Sequence, residues 1–140
     1  MNKYPAYGDI GIEKHKIASY QMDLKGQATF TVLCNFLQEI AGNHAAVNGF
    51  GFHEMIKAGQ IWVLTRLKVE IEQYPKWNDE IFIETWVRNK QSFFSERDFL
   101  ILDQNKKRLG GALSGWMMID IKTRKPKTVD SIQPNIKMFR

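Results

Sequence analysis

One stretch, Thr29 to Val47, constrains this chain more than any other, because its apolar residues recur at helical spacing while nearly everything after Gly59 recurs at two. At about 100° per residue, Phe30, Leu33, Cys34, Phe36, Leu37, Ile40, Ala41, His44, Ala45 and Val47 fall on one half of a helical wheel. Thr31, Asn35, Gln38, Glu39, Gly42 and Asn43 take the other half. Asn48-Gly49 supplies residues that adopt the left-handed conformation in which helices end. An apolar face that covers half a helix needs a broad, concave apolar surface to lie against.

The remainder of the sequence provides such a surface. "QIWVLTRLKVEIEQYP" sets Ile61, Val63, Leu67, Val69 and Ile71 on one face of a long strand and Arg66, Lys68, Glu70 and Glu72 on the other. "KWND" turns the chain into "EIFIETWVR", "NKQS" into "FFSERDFLILD", and "QNKK" into "RLGGALSGWMMIDIKT". Ahead of the helix, "YQMD" alternates and predicts a first strand over Lys16 to Met22, and a short helical turn is expected around Phe52 to Lys57. The chain thus reads as α+β: a strand, a long apolar helix, then four antiparallel strands. A twisted antiparallel sheet wrapped around one long central α-helix is the hotdog fold. Its open edges require a partner, either a second hotdog domain or a homodimer mate.

A length of 140 residues suits one domain, and 44% hydrophobic with 25% charged residues is the balance of a globular protein. No apolar run approaches the roughly 20 residues that span a bilayer. The first residues lack the apolar core of a signal peptide, and the single Cys34 has no cysteine to pair with, so a cytoplasmic location without membrane attachment is expected. The net charge of +5 is confined to one place: residues 1–121 hold 14 Lys/Arg and 14 Asp/Glu, whereas Lys122, Arg124, Lys125, Lys127, Lys137 and Arg140 face only Asp130. Only Phe139 accompanies these charges as an aromatic, which argues against nucleic acid, and the segment reads first as a solvated linker.

Four phrases carry a resemblance. "LQEIAGNHAAVNGFGFHEM", "IWVLTRLKVEIEQYPKWNDEIFIETWV", "ERDFLILD" and "SGWMMIDIKTRKP" resemble, in this order over about Met22 to Thr128, the N-terminal hotdog half of the acyl-acyl-carrier-protein thioesterases of plants and bacteria. The resemblance implies an enzyme of fatty acid biosynthesis that hydrolyses the thioester joining a fatty acyl chain to acyl carrier protein, using no cofactor. It implies residues 1–128 as one hotdog domain and 129–140 as a basic linker toward a second. Because the family's carrier protein is acidic, the basic residues from Lys122 onward, with Arg66 and Lys68, are a second, docking reading of the charge.

The family places its catalytic phrase, D-x-N-x-H-x-N-N, on the second hotdog. Here "DLKGQAT" keeps Asp23 but has Gly26 and Gln27 where the asparagine and histidine should stand, so no catalytic residue is assigned. Glu39 and His44, five positions apart, lie on different faces of the helix and form no dyad. His44 reads as a neutral core imidazole with one hydrogen bond. Cys34 and His44 are separated by about 15 Å of helical rise, too far for a nucleophile–base pair. His53 and Glu54 have no further ligand at metal spacing, and no metal is expected. The resemblance does imply an acyl-chain tunnel between helix and sheet, for which Leu33, Phe36, Leu37, Ile40, His44, Trp62, Leu64, Trp116 and Met118 are the expected substrate-binding lining. A stand-alone single-hotdog acyl-CoA thioesterase and a non-catalytic acyl-binding module are the alternatives.

Overall fold

The computed structural model describes residues 10–129; the first nine residues and the expected linker from Asp130 through Lys137, Phe139 and Arg140 lie outside the described residues. Strands β1 (Ile10–Lys16), β2 (Gln60–Ile71), β3 (Glu80–Gln91), β4 (Phe94–Asp103), β5 (Arg108–Asp120) and the two-residue β6 (Pro126–Lys127) form one sheet. Helices α1 (Phe30–Val47) and α2 (Phe52–Lys57) lie between β1 and β2 in sequence. The sheet order is β1-β3-β4-β5-β2, every pairing is antiparallel, and β6 pairs with the end of β5.

Helix α1 begins where Thr29 Oγ1 accepts the amide of Val32 at 3.2 Å, and it ends at Asn48. It buries Leu33, Phe36, Leu37, Ile40, Ala41, His44 and Ala45, which is the wheel's apolar half apart from Phe30, Cys34 and Val47. The first four interlock with Ile81 and Ile83 of β3, Phe99 and Ile101 of β4, and Leu109 of β5. Full burial of each such side chain stabilises by about 1.5–3 kcal/mol, which is how one helix holds three strands in a concave sheet.

The first strand differs from the sequence expectation. It runs Ile10–Lys16, and the predicted Lys16 to Met22 instead holds a 3-10 turn, Ser19–Gln21, closed by the Gln21 side chain accepting the Ala18 amide at 2.8 Å. The strand was hidden because its inward face carries Gly11 and Glu13, both buried, so apolar counting misses it.

The faces of β2 also differ. A bulge between Leu64 and Arg66, tied by Thr65 Oγ1 donating to the Gly115 carbonyl at 3.0 Å, shifts the alternation by one. Trp62 and Leu64 pair with Met118 and Trp116, while Leu67, Val69 and Ile71 pair with Ser114, Ala112 and Gly110. Directly paired residues share a face, so Trp62 and Leu64, rather than Ile61 and Val63, join Leu67, Val69 and Ile71 on the inner side. The β3–β4 connection is likewise shorter than "NKQS": Asn89, Lys90 and Gln91 stay in the ladder after a bulge, and only Ser92 and Phe93, with φ 47° at Ser92, make the turn.

The basic segment is partly folded too. Asp120 Oδ1 accepts the amides of Lys122 and Thr123, both at 2.9 Å, and turns the chain into β6, so Lys122 to Lys127 belong to the domain. Val129, the first residue of the expected linker, is buried with Phe50, Met55, Val87 and Met118, and its amide reaches the Ser92 carbonyl at 2.8 Å.

Helix α2 is pressed against the end of α1 at Gly51, where an added Cβ would lie 2.6 Å from the Ala46 Cα. Backbone cannot yield to that contact as a flexible side chain would. Gly51→Ala is therefore expected to cost about 1–3 kcal/mol in chemical denaturation and to displace α2.

On the outer face, burial pushes the Asp98 carboxyl above its ordinary range, and Arg88, whose Nε lies 3.8 Å away, offsets this only in part. The folded chain then holds this proton more tightly than the unfolded chain, so the group's stabilising contribution is lost as pH rises through its native value. Asp98→Asn is expected to remove that component from a stability–pH profile.

Candidate functional site

Between α1, α2 and the inner face of the sheet lies a cavity of about 320 Å³. Its helix wall is Gln38, Ala41, Gly42 and Ala45, spaced so that they fall on one stripe of α1. Phe50, Phe52 and Met55 close it from the α2 side, Trp62 from the inner face of β2 with Ile61 at that strand's start, Trp116 from β5, and Ser95 and Arg97 from β4. Gln38 and Gly42 are exposed and mark its opening. The cavity exists because α1 presents small residues here, whereas Leu33, Phe36, Leu37 and Ile40 fill the corresponding space nearer its start.

Both tryptophans present ring rather than polar edge. Trp62 Nε1 donates to the Phe50 carbonyl at 2.8 Å, Trp116 Nε1 donates to Ser114 Oγ at 2.8 Å, and Phe50 meets Trp62 edge to face at 6.3 Å between centroids. Among the described residues, no Asp, Glu, His or Cys lines the cavity; the polar side chains there are Gln38, Ser95 and Arg97.

Arg97 is 4% exposed. Its Nη1 donates to His44 Nδ1 at 2.9 Å and to Thr85 Oγ1 at 3.1 Å. An arginine only donates, so His44 Nδ1 accepts and the ring proton sits on Nε2. The neutral core imidazole expected from the sequence is what this contact requires. Nearby, Glu13 is 1% exposed and accepts from Asn43 Nδ2 and His15 Nε2, each at 2.9 Å, while the His15 ring stacks on Phe36 at 4.1 Å. Two polar clusters therefore lie beneath α1, Glu13 with His15 and Asn43 at β1 and Arg97 with His44 and Thr85 at the cavity wall.

Of the nine expected lining residues, Trp62 and Trp116 reach the cavity. Leu33, Phe36, Leu37 and Ile40 pack into the core, Met118 is fully buried with Phe50 and Met55, and Leu64 lies on the inner face of the edge strand and is 37% exposed. His44 stands one residue back, joined to the cavity through Arg97. Missing from the sequence reading were Arg97, Ser95 and the small stripe of α1; the run of small residues at Ala41, Gly42 and Ala45 was the available signal.

The other candidates have structural occupations. Asp23 Oδ1 accepts the amides of Lys25 and Gln27 at 2.8 and 3.2 Å, closing a turn. Glu39 is exposed on the far side of α1, and burial pushes the Cys34 thiol above its ordinary value. Among the described residues, no three His, Cys, Asp or Glu side chains come together as a metal site, and no helix is long and apolar enough to cross a membrane.

A long helix held in an antiparallel sheet, with a largely apolar cavity between them, defines this as a hotdog domain. The sequence profile described as the acyl-ACP thioesterase N-terminal domain matches residues 2–134, and the chain belongs to that family. It is 35% identical over 135 residues to the chloroplastic oleoyl-acyl carrier protein thioesterase of Coriandrum sativum, covering 91% of this chain and 37% of that protein. The crystal structure of an acyl-ACP thioesterase from Bacteroides thetaiotaomicron superposes with a TM-score of 0.83 at 35% identity, over 85% of this chain and 49% of that one. The 12:0-ACP thioesterase from Umbellularia californica gives 0.80 at 28% identity, over 91% and 49%. The chain thus spans less than half the length of these relatives.

The Arg97–His44 contact is testable by a double-mutant cycle. Arg97→Ala is expected to lower stability by about 3 kcal/mol or more, because it strips a buried imidazole and a buried hydroxyl of their donor. With His44→Ala the cycle should show a coupling of about 0.5–3 kcal/mol.

Proposed function

We propose that this chain is the acyl-chain-binding hotdog half of an acyl-ACP thioesterase, a hydrolase of fatty acid biosynthesis that releases a fatty acid from acyl carrier protein. The observation that carries the reading is the cavity: aromatic and small side chains shape it, and among the described residues no carboxylate, histidine or cysteine lines it. Hydrolysis of a thioester needs a base or nucleophile beside the carbonyl, so the wall described here holds the chain and the chemistry belongs to a second hotdog domain. Such a domain would also meet the edge of β2, which pairs with no other strand than β5 among the described residues and where Leu64 and Leu67 are exposed. A homodimer mate would satisfy the same edge. A cytoplasmic location is part of this reading, although the curated plant relatives are chloroplastic.

The expected lining is part of the proposal in amended form. Trp62, Trp116, Phe50 and Arg97 bound the cavity, with Met118 and His44 behind them and Leu33, Phe36, Leu37 and Ile40 closing its inner end. Leu64 extends the lining toward the sheet edge.

The purified chain is expected to bind a fluorescent fatty acid that palmitate displaces, and to leave palmitoyl-ACP unhydrolysed. Gly42→Leu tests the pocket directly. An added Cβ at Gly42 meets nothing within 4 Å, so the substitution should raise helix stability by about 0.5–1 kcal/mol while weakening fatty acid binding about tenfold. Unchanged fatty acid binding, or thioester turnover by the chain itself, would contradict the reading.

A further inference from the structure

Phe52, which lines the cavity, begins α2, and the other end of that helix belongs to a surface that the acyl-chain reading does not use. Lys57 ends α2, the turn between β5 and β6 carries Lys122, Arg124 and Lys125, and Lys127 follows in β6. The Ile121 amide donates to the Gly59 carbonyl at 2.9 Å, so the end of α2 and this turn share one end of the sheet. All five cations are exposed. The acid among them, Asp120, is committed to the turn: its carboxylate accepts the Lys122 and Thr123 amides and lies 3.9 Å from Lys127 Nζ. The turn is also braced by Arg124 N to Asp120 O at 2.7 Å and Asp120 N to Lys125 O at 3.0 Å, so its charges are held in place before any partner arrives.

Apolar groups interleave with the charges. Ile56 is 41% exposed, Ile121 43% and Phe52 67%, and Phe52 also lines the cavity. The opposite end of the sheet differs in kind, for there Lys14 is paired with Glu80 and Arg108 with Glu72.

We infer that the α2 end and the β5–β6 turn form the docking surface for an acidic protein face, that of the carrier delivering the acyl chain to the cavity. The inference rests on the acyl-carrier reading given above. A cluster of cations steers an anionic partner from a distance, and the exposed Phe52, Ile56 and Ile121 give it an apolar footing once docked. An anionic membrane would also be attracted by such charges, but the apolar groups sit on a six-residue helix and a tight turn, too short for an amphipathic helix lying in a bilayer surface. Docking here places the carrier on the helix whose first residue, Phe52, lines the cavity.

The test compares the wild-type chain with Lys57→Glu/Lys122→Glu/Lys125→Glu. Three ligands are titrated: acyl carrier protein bearing an amide-linked palmitoyl chain, palmitoyl-CoA, and free palmitate by displacement of a fluorescent fatty acid. The charge reversals are expected to weaken the carrier by about tenfold or more and to flatten its dependence on NaCl between about 50 and 500 mM, with palmitate and palmitoyl-CoA unchanged within about twofold. Equal carrier affinity in both proteins would overturn the docking surface. Parallel loss of palmitoyl-CoA would overturn it in favour of a phosphate site, and wild-type binding to phosphatidylserine vesicles without binding the carrier would overturn it in favour of a membrane. If the wild type binds neither palmitate nor the loaded carrier, the acyl-chain reading fails and the docking surface with it.

Discussion

A guanidinium buried between helix and sheet is the constraint around which the rest of this domain is arranged. Arg97 sits at the middle of the concave face, and taking a charge from water costs several kcal/mol unless its donors are satisfied. His44 on α1 and Thr85 on β3 both accept from Nη1, which fixes how far along the sheet the helix can lie. A helix held only by Leu, Ile and Phe could slide by a turn at modest cost, because apolar contact is not directional. The hydrogen bonds to Arg97 and the contact of Asn43 with Glu13 on β1 remove that freedom.

With the helix fixed, the division of the interior follows. Large side chains early in α1 fill one half of the trough, and small ones after Ala41 leave the other half open against Trp62 and Trp116. Gly51 then brings α2 close enough to cap the open half. The cavity is therefore a consequence of side-chain size along a single helix, and the polar wall at Arg97 belongs both to the stability of the fold and to the limit of the ligand space.

Much of this was legible in the chain itself. The wheel of α1, the long strands and most turns follow from periods of 3.6 and 2, and the family phrases follow one another in the order of the strands that carry them. Three features were not legible, each for a definite reason. The inward face of β1 is polar, so Glu13 and His15 concealed a strand from a hydrophobicity count. The bulge at Thr65 changes which residues face inward without changing composition. Arg97 looked like one more charge on an alternating strand, since the chain cannot say which alternate residues point toward the helix.

The sequence by itself determined the fold class, the family and the absence of the family's catalytic phrase from "DLKGQAT", because these depend on local periodicity and on residue identity at fixed spacing. Only the tertiary structure decided that His44 is held by Arg97 and stands behind the cavity wall, that the open space lies against Gln38, Ala41, Gly42 and Ala45, and that the first basic residues after Ile121 form a braced turn beside α2. Those depend on which strands become neighbours and on where bulges reset their faces, and contacts between residues 50 or more positions apart leave no periodic trace in the chain.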